Sequence, residues 1–424
     1  MAKRHANEVG NLESLFLRLE ELVLANSGED EFEEVFKLMI AKLWDEQAAS
    51  NDFHVHSNDR DTKDAVGRLL RQAAKGWPGI LEETDSRLLP EHLEVCVDAL
   101  QAHTLSNEGL EVMDGFFEFM VAKAAKGSKG QYFTPRHVVE LCVRMLKPKR
   151  SETVLDPACG SGGFLIHALN YVRPQLGTTS LRNYCSKRLW GFDMDGRAIR
   201  VAKALMVLAG DGSANIIRLN SLLQPAMASL FDDENGSSLT IEDVARSRLR
   251  RHKGFDVILT NPPFAGEVRE RQLLDGYAVA RKKARVERDV LFVERCVNLL
   301  RPGGRLAIVL PHNKFAASSF GYMREWLMGK ARVLAVVGLG RNTFLPHTHQ
   351  KASVLFLQRN LSEVSENKND YEIFFAISER DGKTSKGQFL FKEDEGLLWD
   401  RVDHDLVEIA SGFDNFCKTE GLEV

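Results

Sequence analysis

The sequence predicts an α/β fold, with a doubly wound, mostly parallel sheet covered by helices on both faces, preceded by an all-helical domain. Up to about residue 125, apolar residues recur at three- and four-residue spacing, the period of an amphipathic helix. From residue 150 onward, short apolar runs alternate with helical stretches such as 194–209 and 289–300, which is typical of a sheet in this class. The 424 residues also exceed what one core usually covers, so two domains are expected.

The first part of the chain carries helical patterns only. One apolar face runs through residues 12–23 and a second through 32–43. The same periodicity returns in 91–103 and 108–124, and no strand-like alternation interrupts it. Residues 1–125 are therefore predicted to form a helical N-terminal domain.

The stretch KAAKGSKGQYFTP, residues 123–135, combines glycines and lysines and predicts a linker before a new pattern. The α/β domain is predicted to span 126–365, and 366–424 is predicted to be a charged C-terminal extension. The predicted strands of that domain are TVLD (153–156), LWGFD (189–193), NIIRL (215–219), FDVILT (255–260), RLAIVLP (305–311), VLAVVGL (333–339) and SVLFLQ (353–358).

Composition argues against several classes of protein. No run approaches the ~20 apolar residues of a membrane span, and the basic N-terminus lacks the apolar core of a signal peptide, so a cytoplasmic protein is expected. Six cysteines are scattered without a C-x-x-C pair, which argues against a disulfide framework and a zinc ribbon. The pairs His54/His56 and His347/His349 lack a third ligand at a recognisable spacing, so no metal site is predicted.

A glycine-rich loop, DPACGSGGF at 156–164, follows the first predicted strand and precedes a helix. Bare backbone amides in such a loop can approach an anionic or polar ligand closely. Asp193 ends the second predicted strand, where a carboxylate commonly binds both ribose hydroxyls of a nucleoside. Together they predict a nucleoside pocket, and a dinucleotide cofactor would explain them equally well.

The stretch ILTNPPF, residues 258–264, closes the fourth predicted strand. Two consecutive prolines fix a donor-free turn, so the side-chain oxygen of Asn261 and the carbonyl of Pro262 converge outward while Phe264 presents a ring. Two acceptors beside a stacking platform suit a planar group that bears an NH2, and they stabilise the positive charge that grows on its nitrogen. NPP alone favours a proline-capped strand end, whereas its combination with the glycine loop and Asp193 favours chemistry at an amino group.

Four motifs occur in the order GQYFTP (130–135), DPACGSGGF (156–164), GFDMD (191–195) and NPPF (261–264). This order resembles the γ-type methyltransferases that methylate the 6-amino group of adenine in DNA, and specifically the modification subunit of type I restriction-modification systems. The resemblance runs from the helical domain through about residue 358. It implies a Rossmann-like S-adenosylmethionine-dependent methyltransferase domain and site-specific adenine methylation as the activity.

The resemblance implies S-adenosyl-L-methionine as the methyl donor. The family usually has an acidic residue after the third strand, near the cofactor's adenine, where this chain has Asn220, an acceptor without the charge. The other implied cofactor residues are Phe133, Thr134 and Pro135 in the pocket wall, Asp156, Pro157, Gly160, Ser161 and Gly162 around the methionine part, and Asp193 on the ribose. The implied catalytic residues are Asn261, Pro262, Pro263 and Phe264.

Contact with DNA is also implied. The family holds the extruded base with a second aromatic residue, and Phe344 is assigned to it here. Extrusion of an adenine costs roughly a few kcal/mol. A net charge of −4 is unusual for a DNA-binding protein, but cations cluster before and after the NPPF strand in the sequence. A solvated helix face would explain each cluster equally well. The clusters are Arg246, Arg248, Arg250, Arg251 and Lys253 before it, and Arg281, Lys282, Lys283, Arg285 and Arg288 after it.

The resemblance implies a specificity subunit, a restriction subunit and a second copy of the chain as partners besides DNA. The residues after 358 are too few for a domain that reads a long DNA sequence, which agrees with a separate specificity subunit. Two alternatives stay open: an amino-group methyltransferase acting on RNA bases or protein glutamine, and a catalytically silent subunit that binds cofactor and DNA. The motif order argues against the first, and the intact Asn261, Pro262 and Phe264 argue against the second.

Overall fold

The structure is a computed structural model, and the chain divides into two compact units. The first comprises Met1–Gly127 and Arg200–Ser213, and the second Ser128–Ile199 and Ala214–Val424. The domain boundaries placed at 125 and 365 from the sequence stay predictions. Of the first basic cluster, Arg246, Arg248, Arg250 and Arg251 lie outside the described residues, as do residues 130–132 of GQYFTP. The described residues are 12, 14–22, 27–105, 110–124, 133–210, 215–223, 249, 252–361, 371–392 and 401–424.

The first unit is helical wherever it is described as regular structure. Its helices include α1 (Glu31–Ala48), α2 (Asp59–Gly76), α3 (Pro90–Gln101) and α4 (Leu110–Ala124). The Asp30 side chain accepts the amide of Glu33 at 3.0 Å and so caps α1, as expected of an aspartate at this position. The predicted helices at 32–43, 91–103 and 108–124 are confirmed.

The core of this unit is aromatic. The rings of Phe32 and Phe36 stack with centroids 5.6 Å apart, and Phe36 meets Phe117 edge to face at 6.1 Å. Both Phe36 and Phe117 are completely buried. These residues belong to the apolar faces that predict α1 and α4, so the same side chains that specify the helices also join them.

The second unit is built on one large sheet. Ten strands are described in the unit, and two of them, β5 and β6, pair separately. The strands are β1 (Val154–Asp156), β2 (Leu189–Asp193), β3 (Ile216–Arg218), β4 (Phe255–Thr260), β5 (Glu267–Val268), β6 (Val286–Glu287), β7 (Leu300–Pro311), β8 (Ala331–Gly338), β9 (Ala352–Arg359) and β10 (Phe374–Ile377). The order in the large sheet is β10-β8-β9-β7-β4-β1-β2-β3.

The sheet is mostly parallel, as predicted. Strand β1 pairs in parallel with β2 and with β4, whereas β9 runs antiparallel to β7 and β8. The chain moves outward from β1 through β2 to β3 and then returns to β4 on the other side of β1. A strand order that reverses in this way creates a switch point at the carboxyl ends of β1 and β4, where doubly wound sheets bind ligands.

Helices pack against this sheet. On β7, Arg305 forms a buried bidentate ion pair with Glu152 at 2.8 and 3.0 Å. All six cysteines are buried thiols. Among the described residues, no helix combines the length and apolar character needed to cross a membrane. The helices described beside the sheet are α5 (Arg136–Leu146), α6 (Gly163–Val172), α7 (Thr178–Arg188), α9 (Arg271–Leu274), α10 (Arg288–Leu299), α11 (Asn313–Ala316), α12 (Gly321–Met328) and α13 (Leu406–Thr419), whereas α8 (Gly196–Leu208) belongs from Arg200 onward to the first unit.

The described part of 371–424 joins the second unit. Strand β10 pairs in parallel with β8, and Phe413 on α13 packs against Phe374 and Phe356 with centroids 5.6 and 6.3 Å apart. Asp414 forms an ion pair with Lys147 at 2.7 Å, directly after α5. The charged segment predicted as an extension therefore supplies a strand and a covering helix.

Candidate active site

The glycine loop lies between β1 and α6, at the switch point of the sheet. Gly160 has a φ of +50° and Gly162 a φ of +95°, backbone conformations that favour glycine. A Cβ atom built on Gly160 would meet nothing within 4 Å, whereas the next residue, Ser161, is buried. The backbone of Gly160 thus faces open space, which fits the close approach of a ligand to the main chain.

Asp193, at the end of β2, is connected to this loop. Its carboxylate accepts the amide of Gly160 and the amide of Asp195, each at 2.9 Å. Burial raises the pKa of Asp193, although these two amides act in the opposite direction. The predicted loop and the predicted carboxylate are therefore in direct contact.

Asp156, the last residue of β1, is a second buried carboxyl beside the loop. It is 1% exposed, and its Oδ1 accepts the amide of Ala158 at 3.0 Å. Burial raises the pKa of Asp156 to about 7; the amide of Ala158 lowers it, and the charge of Asp193 adds to the increase. A carboxyl with this pKa is close to half protonated at neutral pH, and a nearby positive charge would favour its ionised form.

The loop after β3 is tied to the glycine loop as well. The Ser221 hydroxyl donates to the carbonyl of Pro157 at 2.5 Å, and Arg295 Nε on α10 donates to the carbonyl of Ser221 at 2.7 Å. Asn220 is half-buried, and its Oδ1 accepts the amide of Leu222 at 3.1 Å. The Oδ1 atom of Asn220, which the family resemblance places near the adenine of the cofactor, thus stabilises its own turn.

The residues of the first motif that the structure describes precede α5 and adjoin the same loop. Thr134 and Pro135 are buried and Phe133 is half-buried. The neighbouring Arg136 lies so close to the glycine loop that a Cβ atom on Gly163 would overlap its guanidinium group. The structure therefore brings Arg136, the residue directly after this motif, to the glycine loop, although the two are separated in the sequence.

The NPPF residues follow β4 directly. Asn261 and Pro263 are half-buried, whereas Pro262 and Phe264 are buried. The ring of Phe264 meets the ring of Phe344 edge to face, with centroids 5.9 Å apart and an interplanar angle of 65°. Such a pair of rings is a favourable aromatic contact, and here it joins the end of β4 to the loop between β8 and β9.

Four residues of the second basic cluster lie on the segment between β5 and β6. We call residues 269–285 the basic arm. Arg281, Lys282 and Arg285 are exposed, and Lys283 places its ammonium group 3.7 Å from the ring centroid of Tyr322. Arg285 also pairs with Glu267 at 3.4 Å, so the positive charge of the arm is partly offset. Lys253 of the first basic cluster and Arg288 of the second are exposed as well.

Two contacts that sequence reasoning missed fix the basic arm. Glu294 on α10 accepts the amides of Ala278 and Val279 at 2.9 and 2.8 Å. The Tyr277 hydroxyl donates to the carbonyl of Leu222 at 2.6 Å.

The chain is similar to known proteins in sequence and in fold. The StySPI methylase subunit of a type I restriction enzyme from Salmonella potsdam is 27% identical over 252 residues, which are 58% of this chain and 44% of that protein. A modification subunit attributed to a type I restriction enzyme of Vibrio vulnificus YJ016 superposes with a TM-score of 0.65 at 18% identity, over 96% of this chain and 90% of that one.

A protein of Listeria monocytogenes assigned to the class I S-adenosylmethionine-dependent methyltransferases superposes with a TM-score of 0.53 at 16% identity, over 88% of this chain and 93% of that one. These likenesses confirm the predicted fold. The chain spans 44% of the length of its Salmonella relative. The sequence pattern of the N-6 DNA methylases matches residues 110–423, most of the chain, which therefore belongs to the N-6 DNA methylase family.

Proposed function

We propose that this chain transfers a methyl group from S-adenosyl-L-methionine to the 6-amino group of adenine in DNA, as the modification subunit of a type I restriction-modification complex. The observation that carries the proposal is the contact between Phe264 and Phe344 at the carboxyl end of β4, directly after Asn261 and Pro262. Two acceptors beside two aromatic rings suit a planar base with an exocyclic amine.

For the cofactor, we propose that Gly160 and Gly162 present their backbone and that Asp193 binds the ribose hydroxyls. Burial makes ionisation of the Asp156 carboxyl costly, and a positively charged group beside it offsets that cost. The proposed site therefore favours a cationic ligand at this position. S-adenosylmethionine supplies, when bound, a methyl group on a positively charged sulfur. Pocket walls are assigned to Phe133, Thr134, Pro135, Pro157, Ser161 and Asn220.

For the reaction, Asn261 Oδ1 and the Pro262 carbonyl each accept one hydrogen of the adenine amine. Both acceptors gain strength as the nitrogen becomes positively charged, so they stabilise the transition state more than the ground state. Phe264 and Phe344 hold the extruded base and offset part of the roughly few kcal/mol that extrusion costs. Pro263 keeps the turn rigid, and no strong base is required.

The basic arm is proposed to contact the DNA backbone through Arg281, Lys282, Lys283 and Arg285. Phosphate contact of this kind carries no sequence information, so a separate specificity subunit would select the site. A restriction subunit and a second copy of the chain are further proposed partners. The support for these partners is the likeness to a methylase subunit of a type I restriction enzyme.

The decisive experiment measures transfer of labelled methyl groups from S-adenosylmethionine to DNA, RNA and protein, with and without a co-expressed specificity subunit. We expect N6-methyladenine in DNA, at defined sites, only when the specificity subunit is present. The Asn261→Ala variant is the matched control, because it should bind cofactor and DNA without transfer. Label in RNA or in protein glutamine, or none in any acceptor, would contradict the proposal.

A further inference from the structure

A segment near the C-terminus holds the loop that carries Phe344. We call residues 378–392 the brace. Its Asp381 accepts the amide of Asn342 at 2.8 Å, two residues before Phe344. Its Lys383 donates from Nζ to the carbonyl of Leu345 at 2.7 Å, one residue after Phe344. The main chain is thus held on both sides of the ring that meets Phe264.

The brace and the loop also pack closely at two glycines, one in each segment. A Cβ atom on Gly340, in the loop, would overlap Asp381. A Cβ atom on Gly387, in the brace, would come within 2.7 Å of Pro346 N and 2.8 Å of the Leu345 carbonyl carbon. At Gly387 the brace therefore approaches the main chain of the loop directly, with no room for a side chain between them.

Lys383 is an unusual residue for a purely structural contact. It is 7% exposed, and its ammonium group lies 4.7 Å from the ring centroid of Phe389. A buried ammonium is retained only where a carbonyl or an aromatic face compensates the loss of water. The contact with Leu345 is therefore a charge-assisted hydrogen bond in a site of low water content.

The brace is itself a rigid element. The amide of Thr384 donates to the carbonyl of Gln388 at 2.8 Å, and the amide of Leu390 donates to that of Gly382 at 2.8 Å. These bonds flank the antiparallel bridge between Lys383 and Phe389. A hairpin that is held by its own hydrogen bonds can keep the loop that it contacts in one position.

We propose that Asp381 and Lys383 are positioning residues for base capture: they hold Phe344 against Phe264 so that the extruded adenine finds both rings in place. The inference rests on the proposed function of the Phe264–Phe344 site and extends it to residues that do not contact the base. It assigns a role to part of the segment that the sequence predicts to be a charged C-terminal extension.

The holding of the loop is tested first, by amide hydrogen exchange on the full chain. Lys383→Met should raise the exchange rates of residues 341–348 roughly tenfold, because the loop loses its charged contact. The exposed Lys386, in the same hairpin, offers the matched control Lys386→Met, which should leave them unchanged. Asp381→Ala is an independent second variant. Unchanged exchange in both Lys383→Met and Asp381→Ala would overturn the proposal.

The catalytic consequence is tested by a double-mutant cycle with Phe344→Ala. The substrate is an oligonucleotide duplex whose methylated adenine is first located by mapping the methyl groups that the wild-type complex transfers to plasmid DNA. Lys383→Met should raise KM for this duplex about tenfold while cofactor affinity and kcat stay within about twofold of wild type. In the Phe344→Ala background it should add less than about twofold. Lys383→Arg should restore most of the loss.

The outcomes separate the inference from the proposed function. Additive losses in the cycle, with a wild-type enzyme that methylates adenine, would overturn the positioning role and leave the activity intact. A wild-type complex that transfers no methyl group to DNA would overturn both. A mismatch opposite the target adenine should lessen the effect of Lys383→Met, because it lowers the extrusion cost, whereas a general loss of folding would not respond to it.

Discussion

The amide of Gly160 donates a 2.9 Å hydrogen bond to the carboxylate of Asp193, which joins the loop after β1 to the end of β2. The amide of Asp195 binds the same carboxylate. One side chain thus shapes the glycine loop and, in the proposed site, also faces the ribose. Asp193 is therefore expected to influence both loop geometry and cofactor affinity.

Replacing Asp193 should weaken cofactor binding. Asp193→Ala removes two charge-assisted hydrogen bonds worth about 1.5–3 kcal/mol each, so the affinity for S-adenosylmethionine should fall roughly 100-fold or more. Asp193→Asn keeps an oxygen for the Gly160 amide and should give an intermediate loss. Isothermal calorimetry measures both, and unchanged affinity in a folded Asp193→Ala protein would remove this residue from the cofactor site.

Two glycines of the same loop should respond differently to substitution. Gly160→Val occupies open space at a positive φ, so it should reduce cofactor affinity strongly. Gly163→Ala drives a Cβ atom into Arg136 and should lower the free energy of unfolding by about 1–3 kcal/mol. Denaturant unfolding and calorimetry distinguish the two. If Gly160→Val bound the cofactor normally, the loop would not contact it.

Cofactor binding should depend on pH through Asp156. Its pKa of about 7 means that the carboxyl gains a proton as the pH falls through neutrality. A cationic ligand prefers the ionised form, so affinity should be roughly tenfold lower near pH 6 than near pH 7.5, and binding should release protons. Asp156→Asn is the matched control, because it removes the titration of Asp156 and retains that of the ligand and of Asp193. The same pH profile in both proteins would exclude Asp156 from the effect.

Asn261 and Phe264 should have separable roles. Asn261→Ala should reduce turnover 100-fold or more, on the oxyanion-hole scale of roughly 2.7–4 kcal/mol, with near-normal cofactor affinity. Phe264→Ala removes stacking worth roughly 1–3 kcal/mol, so a mismatch opposite the target adenine should rescue it, whereas Asn261→Ala should respond less. Phe264→Trp should retain part of the activity. Methyl transfer is measured for each variant on matched and mismatched duplexes. Equal rescue of both alanine variants would contradict the separate roles assigned to Asn261 and Phe264.

Binding of the isolated chain to DNA should be weak, salt-sensitive and indifferent to sequence, because the contacts proposed for the basic arm are to phosphates. Neutralising Arg281, Lys282 and Arg285 to Gln should weaken binding about equally on all duplexes and flatten its salt dependence. Lys418→Gln, at an exposed cation on α13 that belongs to neither basic cluster, is the control. Selection of one sequence by the isolated chain would contradict the need for a specificity subunit.

Much of the fold could be predicted because apolar residues in regular elements repeat at the period of the element. Strands β2 and β4 occupy the predicted residues, and β7 begins five residues earlier than predicted because LRPGG, at 300–304, shows no apolar run. Helix α2 was missed because its buried face is a narrow stripe among charged residues, including Val66 and Leu70. Strand β10 was missed because its short apolar run, FFAI, lies in the charged stretch that was predicted to be an extension.

The candidate site was predictable where a motif lies at a strand end, and unpredictable where distant residues meet. The Gly160–Asp193 contact joins residues of two motifs, whereas Phe344, which meets Phe264 of a third motif, was assigned only through the family resemblance. Lys383 and Glu294 instead bind main-chain atoms through side chains that read in the sequence as ordinary surface charges. Only tertiary structure distinguishes a buried Lys or Glu of this kind from a solvated one. The roles of the site residues stay predictions.

The contacts of Glu294 and Tyr277 have a thermodynamic consequence for the basic arm. Residues that are fixed by hydrogen bonds during folding lose little conformational freedom when a ligand arrives. A cationic segment held at Ala278 and Val279 should therefore meet a polyanion with a small entropic penalty for its own ordering. Its binding enthalpy and heat capacity change should lack the large terms that accompany the folding of a disordered basic segment.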